Sequence, residues 1–493
     1  MWYQEKDWRV RLRSLKNYVA ERPDLERFRG FAAGSKFVDQ FNGGGFPNMS
    51  DKAVTELHMI CSNSSRIPNK LFKPDAIADE LYLKVYSAIS LDYLSSFFLR
   101  FNMSVDDYFN LDFSDSYIVY VIEEVMGGPS RHKVSGCPLD VLGSHFGEVY
   151  PLHKDFVVSL VRDRLLAWSS DDCCTDYKRS FESGAIDPVR GIAKNAITPL
   201  EKLVLSDDKG PETRPRGVYP DTKDCEIAER SVYMPLSLVD KLLFMVNASM
   251  VGFGSLNYAH LSQWFTYLAD MFSKGIVLKG TDVSCWDFSV NKHIMVHVVL
   301  LNLKRLGVSP DRKLYRAMLN RERTIMMKLL VTSDGFIWLV PYGLQISGRS
   351  ETSNENSRVR AYYHMCAAHD EHIRCLGDDS VETFSEEIKA RYMDMQLNLK
   401  VDLLPSEYSD FVGHSGMFVI FCSILFDFKY KKCYPVTWRS TAMKYALSRD
   451  ESFLRFQQFV TDLMDFPWKK SLLELVLNYH RCRSESMSRV ESI

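Results

Sequence analysis

No stretch of this 493-residue chain is long and apolar enough to cross a bilayer; the longest apolar run lies near Phe418 to Phe426. The opening residues, MWYQEKDWRV, lack the apolar core of a secretory signal, so neither a membrane span nor export is expected. A C-x-x-C pair is also missing. The 11 cysteines (Cys61, Cys137, Cys173, Cys174, Cys225, Cys285, Cys366, Cys375, Cys422, Cys433 and Cys482) are scattered, which fits reduced thiols in a cytosolic protein. No internal repeat and no low-complexity tract is present, so repeat architectures and disordered tracts are excluded. Charge of one sign is missing too: the net charge is only -2, and a nucleic-acid partner would have to be held by local basic surfaces. There is neither the G-x-x-x-x-G-K phosphate loop of a helicase nor a recognisable protease triad.

What is present is the material of a globular enzyme. Hydrophobic residues make up 46% and charged residues 25% of the chain, enough for a sizeable core. Glycine and proline fall in short clusters such as Gly43-Gly44-Gly45 and Gly127-Gly128-Pro129, which mark loops inside a compact body. From Ile186 to Arg230 the pattern is irregular and charged, with Lys194, Lys202, Lys209, Arg214, Arg216 and Arg230 among a similar number of acids. This segment reads as a solvated loop carrying selected functional cations. SLVDKLLFMVNASM and SLNYAHLSQWFTYLADMF have apolar residues at helical spacing, and GIVLKGTDVS then reads as a strand ending at Asp282. HIRCLGDDSVETF reads as two strands joined by a turn at Gly377-Asp378-Asp379. Beyond Tyr434 the pattern is helical and mildly basic, which suits contact with RNA.

Asp282 at a strand end and Asp378 in a hairpin turn are carboxylates that adjacent strands would bring together, with Asp379 completing the group. Converging carboxylates are what phosphoryl transfer needs to hold two hard cations. A double Asp alone is more often a solvated surface turn, so the neighbouring segments decide. Between the two sites lies GLQISGRSETSNENSRVR, a polar array with Ser347, Gly348, Thr352 and Asn356 running from a loop into a helix. Read plainly, Ser347 or Thr352 is a helix N-cap. Read functionally, Gly348 allows close backbone approach to template or nucleotide, and Asn356 with Asp287 can hydrogen-bond a ribose 2′-hydroxyl.

D-x-x-x-x-D, then S-G-x-x-x-T-x-x-x-N, then G-D-D, in this order, resemble motifs A, B and C of positive-strand RNA virus RNA-dependent RNA polymerases. The wording DVSCWDFSV, GLQISGRSETSNENSRVR and LGDDSVE is most similar to the sobemovirus and polerovirus (sobemo-like) group. DPVRGIAKN resembles the start of motif F and RSVYMPLSLVDKL its end, which implies that Lys194 and Arg230 form a basic roof over the triphosphate. Arg214 and Arg216 compete with Arg230 for that role. YMDMQLNLKVD resembles motif D, which implies Lys400 as proton donor to the departing pyrophosphate, against Lys389 as a solvated helix residue. FCSILF resembles motif E, which implies that Phe421, Cys422 and Ser423 grip the primer end; a buried strand is the plain reading. KVSGCPLDVLG resembles the motif G region beside the template path, with Ser135, Gly136 and Pro138 as matching positions. Cys285 departs from the pattern, standing where relatives often have glycine, and Arg349 and Glu351 make the motif B loop unusually charged.

The resemblance implies an α+β right-hand polymerase with an antiparallel palm sheet backed by helices. N-terminal region and fingers are expected over 1–235, palm with a fingers insertion over 236–430, and a small helical thumb over 431–493. It implies an RNA-directed RNA polymerase, a nucleotidyltransferase using two Mg²⁺ ions, for which Mn²⁺ can substitute, held by Asp282, Asp378 and Asp379. Implied partners are template and nascent RNA, ribonucleoside triphosphates, a genome-linked protein primer and other viral replication proteins. The expected location is the host cytoplasm, in replication complexes tied to membranes through partners. Two rivals remain. A reverse transcriptase would usually need a bulky residue to exclude the 2′-hydroxyl, and a silent polymerase-shaped scaffold would have no use for three clustered carboxylates.

Overall fold

The computed structural model describes residues 36–37, 67–68, 71–126, 139, 142, 145–170, 177–190, 192–194, 216–218, 221–254, 257–331, 336–339, 343, 345, 349, 351–412, 416–446 and 453–491. Its centre is a four-stranded antiparallel sheet in the order β10-β5-β9-β8, built from β5 (Leu278–Val283), β8 (Ile373–Leu376), β9 (Asp379–Thr383) and β10 (Leu399–Val401). A parallel bridge from Ser249 to Cys375 extends it past β8.

One face of this sheet is covered by helices. α1 (Ala76–Val85), capped by the Asp75 carboxylate accepting from the amides of Ile77 and Ala78, lies against them. α2 (Lys154–Ser169) and α3 (Lys223–Leu242) belong to the other large layer, and α4 (Tyr258–Ser273) leads into β5. After β5 come the single turn α5 (Trp286–Ser289), α6 (Lys292–Leu306), α7 (Lys313–Ile325), and α8 (Thr352–Ala368) between the two carboxylate-bearing strand regions. α9 (Glu386–Asp394) separates β9 from β10. Burial of Val283, Ile294, Val359, Tyr362, Tyr363, Ile373 and Leu399, with Tyr82 of α1 and Tyr86 at its C-terminal cap, forms the core behind the sheet. That apolar burial drives the layer together.

A larger core joins residues of 89–168 with α3, α6 and α7, around Trp168, Tyr108, Tyr117 and Tyr233. Beside it a mixed sheet has the order β1-β7-β6-β2, from β1 (Lys36–Phe37), β2 (Pro188–Arg190), β6 (Leu329–Val331) and β7 (Phe336–Leu339). A separate two-stranded ribbon pairs β3 (Ile192–Lys194) with β4 (Arg216–Val218). At the C-terminal end, β11 (Phe418–Phe421), β12 (Ile424–Asp427) and β13 (Lys432–Pro435) form a meander. It packs with helices Trp438–Ala446, Phe453–Asp462 and Lys469–Glu491 around Tyr408, Tyr434, Phe459 and Leu463.

One expectation fails. The stretch read as a solvated loop up to Arg230 is helical from Lys223, and Lys223, Asp224, Glu226 and Glu229 are buried. Burial is possible because each charge has a partner: Asp224 lies 2.8 Å from Arg164, Glu229 2.7 Å from Arg349, and Lys223 pairs with Glu226. Among the described residues no helix is long and apolar enough to cross a membrane.

Candidate active site

Alternation along the strands divides the central sheet into two faces. Thr281 opposes Ser380, their hydroxyls 2.7 Å apart, and both point with Glu382 toward the helices. There Arg360 of α8 donates to Thr281 at 2.9 Å and to Glu382 at 2.5 Å, and the Tyr392 hydroxyl donates to Glu382 at 2.7 Å. This network fixes β5 against β9 from behind. The alternate residues, Asp282 and Asp379, therefore face the other way, and Lys400 stands directly opposite Asp282 on β10. Asp378 occupies the turn after Gly377, whose φ of +71° suits glycine. The Gly377 amide donates to the buried Ser357 hydroxyl of α8 at 2.9 Å, which ties the turn to the helix carrying Asn356.

Burial and neighbouring acids raise the pKa of three carboxyls, Asp282, Asp379 and Asp402. Burial, and then the charge of Asp378, raises the pKa of Asp282, with Lys400 and Arg360 acting in opposition. Asp379 is pushed up to about 6 by burial and by Asp378, Asp282 and Asp402. Asp402, one residue beyond β10, is likewise pushed up to about 6, by burial and Asp282. Its amide donates to the Gly280 carbonyl at 2.9 Å. Asp402 is a member of the cluster that sequence reading missed, because a single acid after a lysine carries no signal until strand pairing is known. Gly280 makes room for it: a Cβ there would collide with the Ile420 carbonyl of β11 and press on the Asp402 carboxylate.

An all-carboxylate oxygen set short of compensating positive charge fits hard divalent cations. Among the described residues one group alone, Asp187, Asp224 and Cys225, has three possible ligand atoms within 4.8 Å of one another; the carboxylates of the central sheet are not drawn that close. It does not fit a cation, since the buried Arg164 guanidinium already pairs with both Asp187 and Asp224.

Beside the cluster, α5 begins at Cys285, held at φ +56°, the left-handed region that suits glycine. Asp287 lies on this turn. Its carbonyl accepts from the Gln345 amide at 3.0 Å, and the Gln345 side chain donates to Asn356 Oδ1. Thr352 is the first residue of α8 and not its cap; its hydroxyl donates to the Arg349 carbonyl at 2.8 Å, and the cap position belongs to Glu351. Arg349 is buried, donating to Glu229 at 2.7 Å and to Glu322 at 3.1 Å, so the loop's unusual charge anchors it to α3 and α7. Ser347, Gly348, Ser135, Gly136 and Arg214 lie outside the described residues.

The ribbon register sets Lys194 opposite Arg216. Arg230 lies half-buried on α3. In the C-terminal hairpin Phe421 is buried, its ring 5.7 Å from that of Trp264, whereas Cys422 and Ser423 form the two-residue turn with φ of 51° and 62°. Two positive φ values are the pattern of a type I′ hairpin turn. The Cys422 thiol also hydrogen-bonds Asp379, and burial and the nearby carboxylates push its own pKa up. Gln345, Ser357, Arg360 and Asp402 are thus positions that sequence reading did not single out.

No protein-family model and no curated protein matches the chain. Solved structures do. The RNA-dependent RNA polymerase of a human picorbirnavirus has a TM-score of 0.54 and 15% identity, covering 93% of this chain and 81% of that one. The sicinivirus 3Dpol RNA-dependent RNA polymerase has a TM-score of 0.49 and 12% identity over 84% of each chain. The first likeness gives the fold: this chain is built as an α+β right-hand polymerase, with the central sheet as its palm.

Proposed function

We propose that the protein is an RNA-directed RNA polymerase that joins ribonucleoside triphosphates to an RNA 3′-hydroxyl, releasing pyrophosphate. The observation that carries this reading is the pair Asp282 and Asp379 on adjacent strands with Asp378 at the turn, the first two held above the ordinary carboxylate range by burial and by the neighbouring acids, in a polymerase fold. Asp282, Asp378 and Asp379 would hold two Mg²⁺ ions, with Mn²⁺ as a substitute. Such ions, when bound, activate the attacking hydroxyl and neutralise charge on the phosphates.

The chain's own residues supply the rest. Lys400, exposed beside Asp282, offers its ammonium proton to the leaving group. Lys194 and Arg230 receive the triphosphate, with Arg216, opposite Lys194 in the ribbon register, as the competing cation. Asp287 and Asn356 select the ribose, and the adjoining loop with Ser347, Gly348 and Thr352 lines the nucleotide's path. The hairpin turn at Cys422 and Ser423 meets the primer end, and Ser135 and Gly136 border the template. The motif wording supports a sobemo-like viral source. Genome replication with a genome-linked protein primer, in the host cytoplasm on membranes reached through other viral proteins, follows from that source.

Primer extension on an RNA template with Mg²⁺ and ribonucleotides tests the reading. Extension by the wild-type chain that disappears in Asp378→Ala is expected. RNA binding without extension, under varied metals and primers, would replace it with the scaffold reading.

A further inference from the structure

The ribose pair, Asp287 and Asn356, is not self-sufficient. A 2′-hydroxyl has one proton to give and lone pairs to receive. If it donates to the Asp287 carboxylate, which only accepts, the other contact must come from a donor. Asn356 supplies one only when its Nδ2 faces the sugar, and an amide can equally present its oxygen. Something must choose.

Gln345 makes that choice in this structure. It is 1% exposed, and its main-chain amide is fastened to the Asp287 carbonyl at 3.0 Å. Its side-chain NH₂ donates to Asn356 Oδ1, and Asn356 is itself only 5% exposed. With Oδ1 committed to Gln345, the two Nδ2 hydrogens are left for the opposite side. The Gln345 Oε1 is buried without a donor among the described residues. A buried acceptor left without a donor is destabilising. Leucine or methionine would fill the same space without that cost, so the amide has a use that packing alone does not explain.

We infer that Gln345 is a positioning residue for sugar selection: it locks the Asn356 amide as a donor toward the ribose and couples that lock to the turn bearing Asp287. This rests on the polymerase reading and adds to it a residue that touches neither the nucleotide nor the reacting atoms. Gln345→Glu, nearly isosteric, turns the lock around: an ionised carboxylate accepts from Asn356 Nδ2 and leaves Oδ1 facing the sugar. Gln345→Met removes the lock and lets the amide turn either way.

The experiment is single-nucleotide incorporation by the full chain, comparing kcat/KM for a ribonucleotide and its 2′-deoxy counterpart in wild type, Gln345→Glu, Gln345→Met and Asn356→Ala. The ribo-to-deoxy ratio should fall about tenfold or more in Gln345→Glu and by less in Gln345→Met, with incorporation of the deoxynucleotide almost unchanged. A merely structural Gln345 would slow both sugars together and leave the ratio alone, which overturns the inference. An unchanged ratio in Asn356→Ala would instead refute the ribose pair, and no incorporation by the wild type would refute the polymerase reading, each taking the inference with it.

Discussion

Proton competition at the carboxylate cluster is open to direct measurement. Asp379 and Asp402 are both pushed up to about 6, so each is ionised at neutral pH and mostly protonated near pH 5. A cation bound by one such carboxylate loses about tenfold in affinity between pH 7.5 and pH 5, and about a hundredfold if both must be ionised. Without a cation, stability runs the opposite way. A carboxyl whose folded pKa exceeds its unfolded value of about 4 binds more protons when folded, so stability drops as pH rises from about 4 to 6 and stays lowered above it. Divalent cation should therefore raise the melting temperature above pH 6 and hardly at pH 5. In Asp402→Asn one competing proton is gone and Asp379 loses a repelling neighbour, so the pH slope should shrink to about one proton and its midpoint should move below 6. Mn²⁺ titration of the full chain without RNA, followed by calorimetry across pH 5 to 8, reads both slopes. Equal affinity at pH 5 and 7.5 in the wild type would refute the reasoning, and an unchanged slope in Asp402→Asn would remove Asp402 from the site.

Two further outcomes are expected. Arg349→Ala leaves Glu322 buried without its cation and Glu229 with Arg321 alone, and should destabilise the protein by about 3 kcal/mol in denaturant unfolding; a change within experimental error would mean that the network is not needed to hold the loop. Cys285→Gly should raise stability by about 1 kcal/mol, because glycine adopts φ +56° without a Cβ clash; a lower melting temperature would show that the thiol's packing matters more than the backbone.

What could be read from sequence was local. The strand ending near Asp282 and the hairpin around Gly377-Asp378-Asp379 were legible because β-branched alternation and turn residues lie side by side in the chain. The hairpin at Cys422 and Ser423 was not legible in the residues, whose plain reading is one buried strand; it was implied only by the resemblance of FCSILF to motif E. The start of α3 was not legible, because Asp224 and Glu229 look solvated until Arg164 and Arg349, 60 and 120 residues away, are brought to them. Asp402 and Gln345 were missed for the same reason: their meaning lies in Gly280 and Asn356, which only strand pairing and helix packing place beside them.

The helix α1 has a consequence in time. Asp79 accepts from the Tyr362 hydroxyl at 2.7 Å and lies 2.7 Å from the His297 ring, and Tyr82 donates to Asn302 at 2.8 Å. The palm is thus closed by a segment made 218 to 283 residues before its partners. At about 5–20 residues per second, that segment waits on the order of 10–60 seconds on the ribosome before Tyr362 emerges. Its apolar side, with Tyr82 and Tyr86, needs shelter during that interval, and a fragment cut at residue 236 would carry the complementary bare surface into solution.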